Sequence, residues 1–377
     1  MNKSLLPKIR FKGFNGEWVL KQIKALGNIK TGKTPSTKNE KNWLNDVLWI
    51  TIPDMTKKYL TNSKKKISLM ASKKNPVVKE KSILFSCIGT IGNIGITTTI
   101  TSFNQQINSI SSIKDVVEYV YYLFQYNTEK IKSYSLTQTL PMINKNYFEN
   151  IEIFVSLNYK EQNKIADFFT IIDKKIELVK EQLSLLAKQK QYYLNNMFAN
   201  EKSYPKIRFK GFNDEWENKK IGEILNYQQP TKFIIKDKIE NQGKIPVLTA
   251  NKSFVLGYVN EKNIYENIPV IIFDDFTMDM KYVNFKFMIK SSAIKILKSK
   301  NNNINLFYVF NLLKNLKLFS SDHKRYYISY VSEINVLFPN IYEQTKVAHF
   351  FTIIDRKIKL VKEQLSLLAK QKQYYLN

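Results

Sequence analysis

Lys180-Glu-Gln-Leu-Ser-Leu-Leu-Ala-Lys-Gln-Lys-Gln-Tyr-Tyr-Leu-Asn195 occurs once in the first half of the chain and returns unchanged at 362–377. The likeness reaches further back, since 161–195 matches 343–377 with five substitutions. Within it, Ile165, Phe169, Ile172, Ile176, Val179, Leu183, Leu186, Lys190, Tyr193 and Met197 are spaced alternately by four and three residues. This is a heptad seam, interrupted only by Lys190. The second copy gives Val347, Phe351, Ile354, Ile358, Val361, Leu365, Leu368, Lys372 and Tyr375. At 1.5 Å per residue each helix is about 50 Å long. An ordinary amphipathic helix lying on a globular core would also carry an apolar stripe. Length, heptad spacing and near-identity favour the two copies pairing with each other. Ile172, Ile176, Val179, Leu183 and Leu186 would meet Ile354, Ile358, Val361, Leu365 and Leu368. Lys190 and Lys372 either set the register or mark where the seam becomes solvated.

A second repeat lies upstream of each helix. Pro7-Lys-Ile-Arg-Phe-Lys-Gly-Phe-Asn15 recurs as Pro205-Lys-Ile-Arg-Phe-Lys-Gly-Phe-Asn213, and Glu17-Trp18 as Glu215-Trp216. Between the matched ends, 27–158 and 226–341 show no clear similarity. The order is therefore arm, variable segment, helix, then arm, a different variable segment and the same helix. Strands are expected at 47–52, 82–88, 245–248, 269–273 and 293–297, and helices at 116–126 and 306–317. The expectation is an α+β chain with a pseudo-twofold internal repeat. Its parts are a first variable domain (1–158), a long helix (159–200), a second variable domain (201–341) and a second long helix (342–377). The helices should pack as an antiparallel coiled coil with the variable domains at opposite ends. The first copy continues Asn-Met-Phe-Ala-Asn after Asn195, whereas the second stops at Asn377, so the second helix is expected to be slightly short.

Lys and Arg number 59 against 32 Asp and Glu, a net charge of +27. Such an excess suits a polyanion, nucleic acid or an anionic membrane. A Lys-, Asn- and Ile-rich composition inflates lysine on its own, so charge alone does not decide the partner. Cys87 is the single cysteine, and His323 and His349 are the two histidines, which excludes a disulfide framework and a Cys- or His-based metal cluster. Segment 82–113 carries no charge but is broken by Gly, Asn, Gln, Ser and Thr, and fits strands and turns better than a membrane span. With no leader-like apolar stretch in 1–30, a soluble cytoplasmic protein is expected.

Two motifs invite an ATPase reading. Gly27-Asn-Ile-Lys-Thr-Gly-Lys-Thr34 fits GxxxxGK[ST], and Val270-Ile-Ile-Phe-Asp274 has the form of an apolar strand ending in an acid. A phosphate loop needs a buried strand before it and a helix after it. Here Lys21, Gln22 and Lys24 precede and the polar run from Pro35 follows, so an ATPase is not expected. Gly89-Thr-Ile-Gly92-Asn-Ile-Gly95 reads as turns between short strands. Asp274-Asp275 lacks clustered partners for a metal, and Cys87 reads as a small buried residue rather than a nucleophile.

At this point the chain resembles the specificity subunits of Type I restriction-modification systems. The resemblance rests on Gly32-Lys-Thr-Pro-Ser-Thr37 followed by Trp49-Ile-Thr-Ile-Pro-Asp54, on Gly89-Thr-Ile-Gly92 and Phe103-Asn-Gln-Gln106, and on Glu161-Gln162 with Ile172-Asp173-Lys-Lys-Ile176 and its copy from Glu343. It covers nearly the whole chain, and the repeated order is the specific part. It implies two target-recognition domains, each reading one half of a bipartite, asymmetric site in double-stranded DNA. It also implies two modification subunits that supply S-adenosylmethionine chemistry, and restriction subunits that use ATP and Mg. This chain would carry no catalytic residue, no metal and no cofactor of its own. A free-standing DNA-binding or scaffold protein is the alternative. Phosphates and base edges favour Lys, Arg, Asn, Gln and small hydroxyls. DNA contacts are therefore expected at Lys33, Thr34, Ser36, Thr37, Lys38, Gln105, Gln106, Thr137 and Gln138 in the first domain. In the second they are expected at Gln228, Gln229, Thr231, Lys232, Asn251, Lys252, His323, Lys324, Arg325 and Tyr326.

Overall fold

The computed structural model describes residues 4–135, 140–199, 204–236, 238–251, 253–316, 318 and 324–376. The chain divides into two compact units, Met1–Val179 with Gln364–Asn377, and Lys180–Glu363.

In the first unit the strands are β1 (Asn28–Thr31), β2 (Val47–Ile50), β3 (Ile83–Ser86), β4 (Ile94–Thr97), β5 (Thr101–Phe103) and β6 (Ile107–Ser111). They lead to helix α1 (Val117–Lys132) and then to the long helix α2 (Tyr159–Asn196). One sheet runs β1-β6-β3-β4 with antiparallel pairs and is extended by Tyr59–Leu60, parallel to β4. A second sheet sets β2 parallel to β5, flanked by Lys65–Ile67 and Val77–Val78. Strands β2, β3 and β4 are buried at every position, which is why they read as nearly unbroken apolar runs. The expected strand 47–52 ends at Ile50, because Ile52–Asp54 turns as a short 3-10 helix capped by Thr51 and Asp54.

The second unit repeats the plan with other residues. Its strands are β7 (Leu225–Gln228), β8 (Ile245–Leu248), β9 (Val270–Asp274), β10 (Met280–Val283), β11 (Met288–Ile289) and β12 (Ile294–Ser299). They are followed by α3 (Leu306–Asn315) and the second long helix, α4 (Ile341–Leu376). The order β7-β12-β9-β10 mirrors β1-β6-β3-β4, and β8 pairs parallel with β11 as β2 does with β5.

The repeated motifs, far apart in sequence, meet in space. Glu161 at the start of α2 is 1 % exposed, and its carboxylate accepts from Arg10 Nε at 2.6 Å and Nη2 at 3.0 Å, from Trp18 Nε1 at 3.3 Å and from Ser156 Oγ at 2.6 Å. Glu343 is held the same way by Arg208, at 2.7 and 2.8 Å, and by Trp216 at 3.0 Å. A two-pronged arginine on a buried carboxylate fixes both distance and orientation. The next residue completes the joint. Gln162 accepts from the Val116 N–H at 2.9 Å and donates to the Ser156 carbonyl at 2.7 Å, while Gln344 accepts from the Asn305 N–H and donates to the Pro339 carbonyl. The Glu-Gln pair therefore locks together the arm, the end of the strand before the long helix (Glu152–Val155 in the first unit, Asn335–Phe338 in the second) and the start of the short helix. One difference follows from chemistry. Tyr119 OH accepts from the Ser156 N–H, but Pro339 has no N–H, and the buried Tyr308 hydroxyl has no partner.

Within each unit the two long helices run antiparallel. In the first, Phe168 meets Tyr375 and Asp173 meets Lys372, with 2.6 Å between Lys372 Nζ and Asp173 Oδ1. In the second, Tyr193 meets Phe350 and Lys190 meets Asp355. The roles of the two copies are exchanged between the pairs, as self-complementary packing requires. Ile172, Val179, Ile354 and Val361 are buried, while Ile176, Leu183, Leu186, Ile358, Leu365 and Leu368 are half-buried. The two seam lysines are thus ion-paired. In the first unit the pair joins a larger network: Lys58 donates to Thr170 Oγ1 at 2.8 Å and to Tyr122 OH at 3.1 Å, and Tyr122 OH donates to Asp173 at 2.8 Å. Burial lowers the Lys58 pKa, and Glu118 and Asp173 pull it back towards its usual value. No described helix is long and apolar enough to cross a membrane.

The arginine clamp predicts an asymmetric mutational response. Arg10→Ala leaves the Glu161 carboxylate buried without its cation and should cost about 3–5 kcal/mol. Glu161→Gln keeps a polar acceptor in place and leaves Arg10 near solvent, so it should cost less. Urea unfolding of the two variants checks the order, and equal or reversed costs would contradict it.

Candidate nucleic-acid interface

Four of the expected contact residues, Lys33, Thr34, Gln105 and Gln106, lie where the two sheets of the first unit exchange chain. β5 passes into β6 through Asn104, Gln105 and Gln106, which carry the backbone from one sheet to the other. Lys33 follows β1 and lies against this crossing, its N–H donating to the Phe103 carbonyl at 2.9 Å. The approach explains Gly32, where a Cβ would come within 2.1 Å of the Asn104 carbonyl oxygen. Thr34 Oγ1 donates to Gln105 Oε1 at 2.5 Å, and Asn104 Nδ2 donates to Gln106 Oε1 at 2.9 Å. Lys33, Thr34, Gln105 and Gln106 therefore form one polar edge. Ser36, Thr37 and Lys38 lie exposed on the loop beyond it, where the Ser36 carbonyl accepts from Asn42 Nδ2 and Trp43 Nε1. Thr137 and Gln138 lie outside the described residues.

The second unit builds the same edge on the same hydrogen bonds. The Cys87 N–H donates to the Gln106 carbonyl and the Asp275 N–H to Ala293; Ile143 donates to the Cys87 carbonyl and Tyr326 to Asp275. Cys87 and Asp275, Gln106 and Ala293, and Ile143 and Tyr326 thus hold equivalent places. So do Asn108 and Lys295, and Thr31 and Gln229. Thr31 Oγ1 donates to Asn108 Oδ1 at 2.7 Å, while Lys295 Nζ donates to Gln229 Oε1 at 2.8 Å. Asn108 Nδ2 donates to Cys87 Sγ at 3.3 Å, where Lys295 stands 4.0 Å from Asp275. A neutral pair in one unit is replaced by a charged pair in the other.

Lys295 is a buried cation, and sequence reasoning passed over it because Ala293-Ile-Lys-Ile-Leu297 looks like an ordinary strand. It also donates to the Ser292 carbonyl at 2.6 Å. Burial lowers its pKa, with Asp275 opposing and Arg325 adding to the fall. Asp274 accepts from the Phe276 and Thr277 N–H groups, and Asp275 Oδ1 accepts from the Tyr327 N–H at 2.8 Å. The acidic pair therefore holds the turn after β9 and anchors 326–327. Among the described residues no group of three or more His, Cys, Asp or Glu could hold a metal.

Of the contacts expected in the second unit, Gln228 and Gln229 lie at the end of β7, with Gln228 accepting from Tyr265 OH and Gln229 donating to Tyr227 OH. Thr231 and Lys232 are exposed on the short turn that follows, and Asn251 is exposed in the turn after β8. Lys324 and Arg325 are exposed, but Tyr326 is 4 % exposed and belongs to the core. Its place is that of an anchor carrying the two basic residues, not of a contact side chain. Lys252 and His323 lie outside the described residues. Ser291 and Ser292 occupy the crossing where the first unit has Asn104 and Gln105, and their residue types gave no sign of it.

The phosphate-loop lookalike is a strand: 28–31 is β1, pairing with β6, and no helix follows Lys33 closely enough to cradle a phosphate. Gly89 and Gly92, with φ of +73° and +100°, turn the chain between β3 and β4. Cys87 is buried, and burial pushes its thiol up to about 12, with Asn108 acting the other way.

These features define a two-copy recognition scaffold with unlike polar edges. Residues 15–188 and 213–370 each match the Type I restriction modification DNA specificity domain, and the chain belongs to this family. The EcoR124I/EcoR124II specificity subunit of Escherichia coli is 38 % identical over 192 residues, which are 46 % of this chain and 46 % of that protein. The chain thus spans about half the length of that relative. The MjaIX specificity subunit of Methanocaldococcus jannaschii is 28 % identical over 331 residues, 83 % of this chain and 75 % of its own. The crystal structure of the Type I restriction-modification S subunit from M. genitalium superposes with a TM-score of 0.68 at 18 % identity, covering 99 % of this chain and 98 % of that one.

A thiol with its pKa raised is neutral at pH 8. Iodoacetamide should therefore label Cys87 in the folded chain far more slowly than in 6 M guanidinium, where about a fifth to a quarter of an ordinary thiol is ionised. Equal labelling rates would contradict the burial of this side chain.

Proposed function

We propose that this chain is the DNA-reading subunit of a Type I restriction-modification complex, acting in the cytoplasm without catalysing a reaction itself. The observation that carries the reading is one hydrogen-bonded skeleton presented twice with different polar side chains at its edge. Thr31, Lys33, Thr34 and Gln105 in one unit stand against Gln229, Ser292 and Arg325 in the other, over the buried Asn108 and Lys295 that bond to Thr31 and Gln229. Equal skeletons with unlike edges suit two half-sites of different sequence in double-stranded DNA. Exposed Lys33, Lys38, Lys232, Lys324 and Arg325 would bind phosphates, with the amide and hydroxyl groups nearer the bases. The net charge of +27 supplies the sequence-independent attraction.

Partners are supported by a second apolar face on the paired helices. Ile171, Leu178, Leu185 and Tyr192 on α2, and Ile353, Leu360, Leu367 and Tyr374 on α4, recur every seven residues and are 42 to 66 % exposed. Equivalent stripes on the two copies suit two modification subunits, which would bring S-adenosylmethionine to adenines. Restriction subunits would add ATP- and Mg-dependent steps. This chain would hold no cofactor or metal.

Replacing 27–158 with the recognition segment of another family member should alter one half of the methylated motif and leave the other unchanged. Sequencing methylated adenines in cells that express the hybrid with its partners reads the result. A change in both halves, or in neither, would refute independent reading.

A further inference from the structure

The two polar edges differ in the direction of their hydrogen bonds as well as in residue type. In the first unit the Cys87 thiol donates to the Phe85 carbonyl, 3.7 Å away, which leaves its sulfur to accept from Asn108 Nδ2 at 3.3 Å. Asn108 Oδ1 is thereby turned to Thr31, whose Oγ1 gives up its proton to it at 2.7 Å. Thr31 is exposed at the end of β1. With its proton committed inward, it offers lone pairs outward and acts as an acceptor.

In the second unit the polarity is reversed. Lys295 is fully buried, and an ammonium only donates. Its Nζ bonds Gln229 Oε1 at 2.8 Å and the Ser292 carbonyl at 2.6 Å, with Asp275 at 4.0 Å. The oxygen of the exposed Gln229 amide is therefore held inward on a cation that is out of water. Its Nε2 gives one proton to Tyr227 OH at 2.8 Å, and the second meets no acceptor among the described residues. What Gln229 has left to offer is a donor.

We infer that Lys295 is a positioning residue for base specificity: it makes Gln229 a donor to a keto base, guanine or thymine, while Thr31 accepts from the amino group of adenine or cytosine. The inference rests on the DNA-reading function proposed above. An unconstrained glutamine pairs with adenine through both ends of its amide, accepting from N6 and donating to N7. With the oxygen held by Lys295 that pairing is lost, and the remaining N–H would meet the adenine amino group donor against donor. Guanine O6 and N7 and thymine O4 are acceptors and suit it. The two units then differ in the chemical class of base they select, on one and the same backbone skeleton.

The test reads the methylated motif in cells that carry the chain with the modification subunits proposed for it. Gln229→Glu keeps the side-chain length and the bond to Lys295 but turns the outward donor into an acceptor. One base pair in one half of the motif should change, a keto base on the contacted strand giving way to an amino base by about tenfold, and the other half should stay as it was. Asp275→Asn with Lys295→Met removes both buried charges and keeps an acceptor for the Tyr327 N–H. Gln229 can then turn over, and the same base pair should become degenerate and admit adenine. Circular dichroism of each purified variant confirms that it is folded. A bipartite motif that neither folded variant alters, or changes in both halves, would overturn the inference and leave the DNA-reading function standing. Methylation abolished by both folded variants would make the cluster a structural support and overturn the inference as well. A parent chain that directs no bipartite motif would remove the DNA-reading function itself, and the inference with it.

Discussion

A carboxylate buried at the first turn of each long helix organises the rest of the structure. Glu161 and Glu343 are out of water and are each gripped by an arginine, Arg10 and Arg208, supplied by an arm 151 and 135 residues away in sequence. A buried ion pair contributes little net stability against an apolar alternative, but it is costly to break on one side. What it supplies is geometry. The clamp fixes the arm to the helix, the neighbouring glutamine fixes the helix to the strand and short helix before it, and each recognition domain is thereby set on its helix in one orientation. Because the same parts are used twice, unlike domains are presented alike.

The second constraint is the seam. Asp173 with Lys372 and Lys190 with Asp355 place a charged pair of the same composition in each unit. A heptad register slipped by seven residues would keep apolar contacts but separate these charges, so the pairs discriminate among registers that the leucines alone would tolerate. In the first unit Lys58 extends the network from the recognition domain to the helices through Tyr122 and Thr170.

Much of the fold was legible because both of its regularities are written in sequence. The heptad spacing and the near-identical copies identified the long helices, and the apolar strands β2, β3, β8, β9 and β12 fell close to their expected positions. Hidden were the relations that only folding creates. Arg10, Trp18 and Glu161 form one joint although nothing in their spacing says so. The candidate interface was half legible. Lys33, Thr34, Gln105 and Gln106 declared themselves as polar residues in a glycine-marked turn, and the structure brings them together. Lys295 lies within a segment that reads only as a strand, nothing in the letters marks Ser291 and Ser292 as the crossing, and the Tyr326 ring, expected at the interface, lies in the core. A single letter does not reveal which face a side chain takes.

The account as a whole rests on the claim that the two units read two different sequences at a fixed separation. The direct measurement is the position of methylated adenines across the genome of cells carrying this chain with the modification subunits proposed for it, compared with cells lacking it. The account predicts one bipartite motif, two unlike half-sites flanking an unread spacer of constant length, that disappears with the chain. A continuous motif, two identical halves, or methylation that persists unchanged without the chain would contradict it.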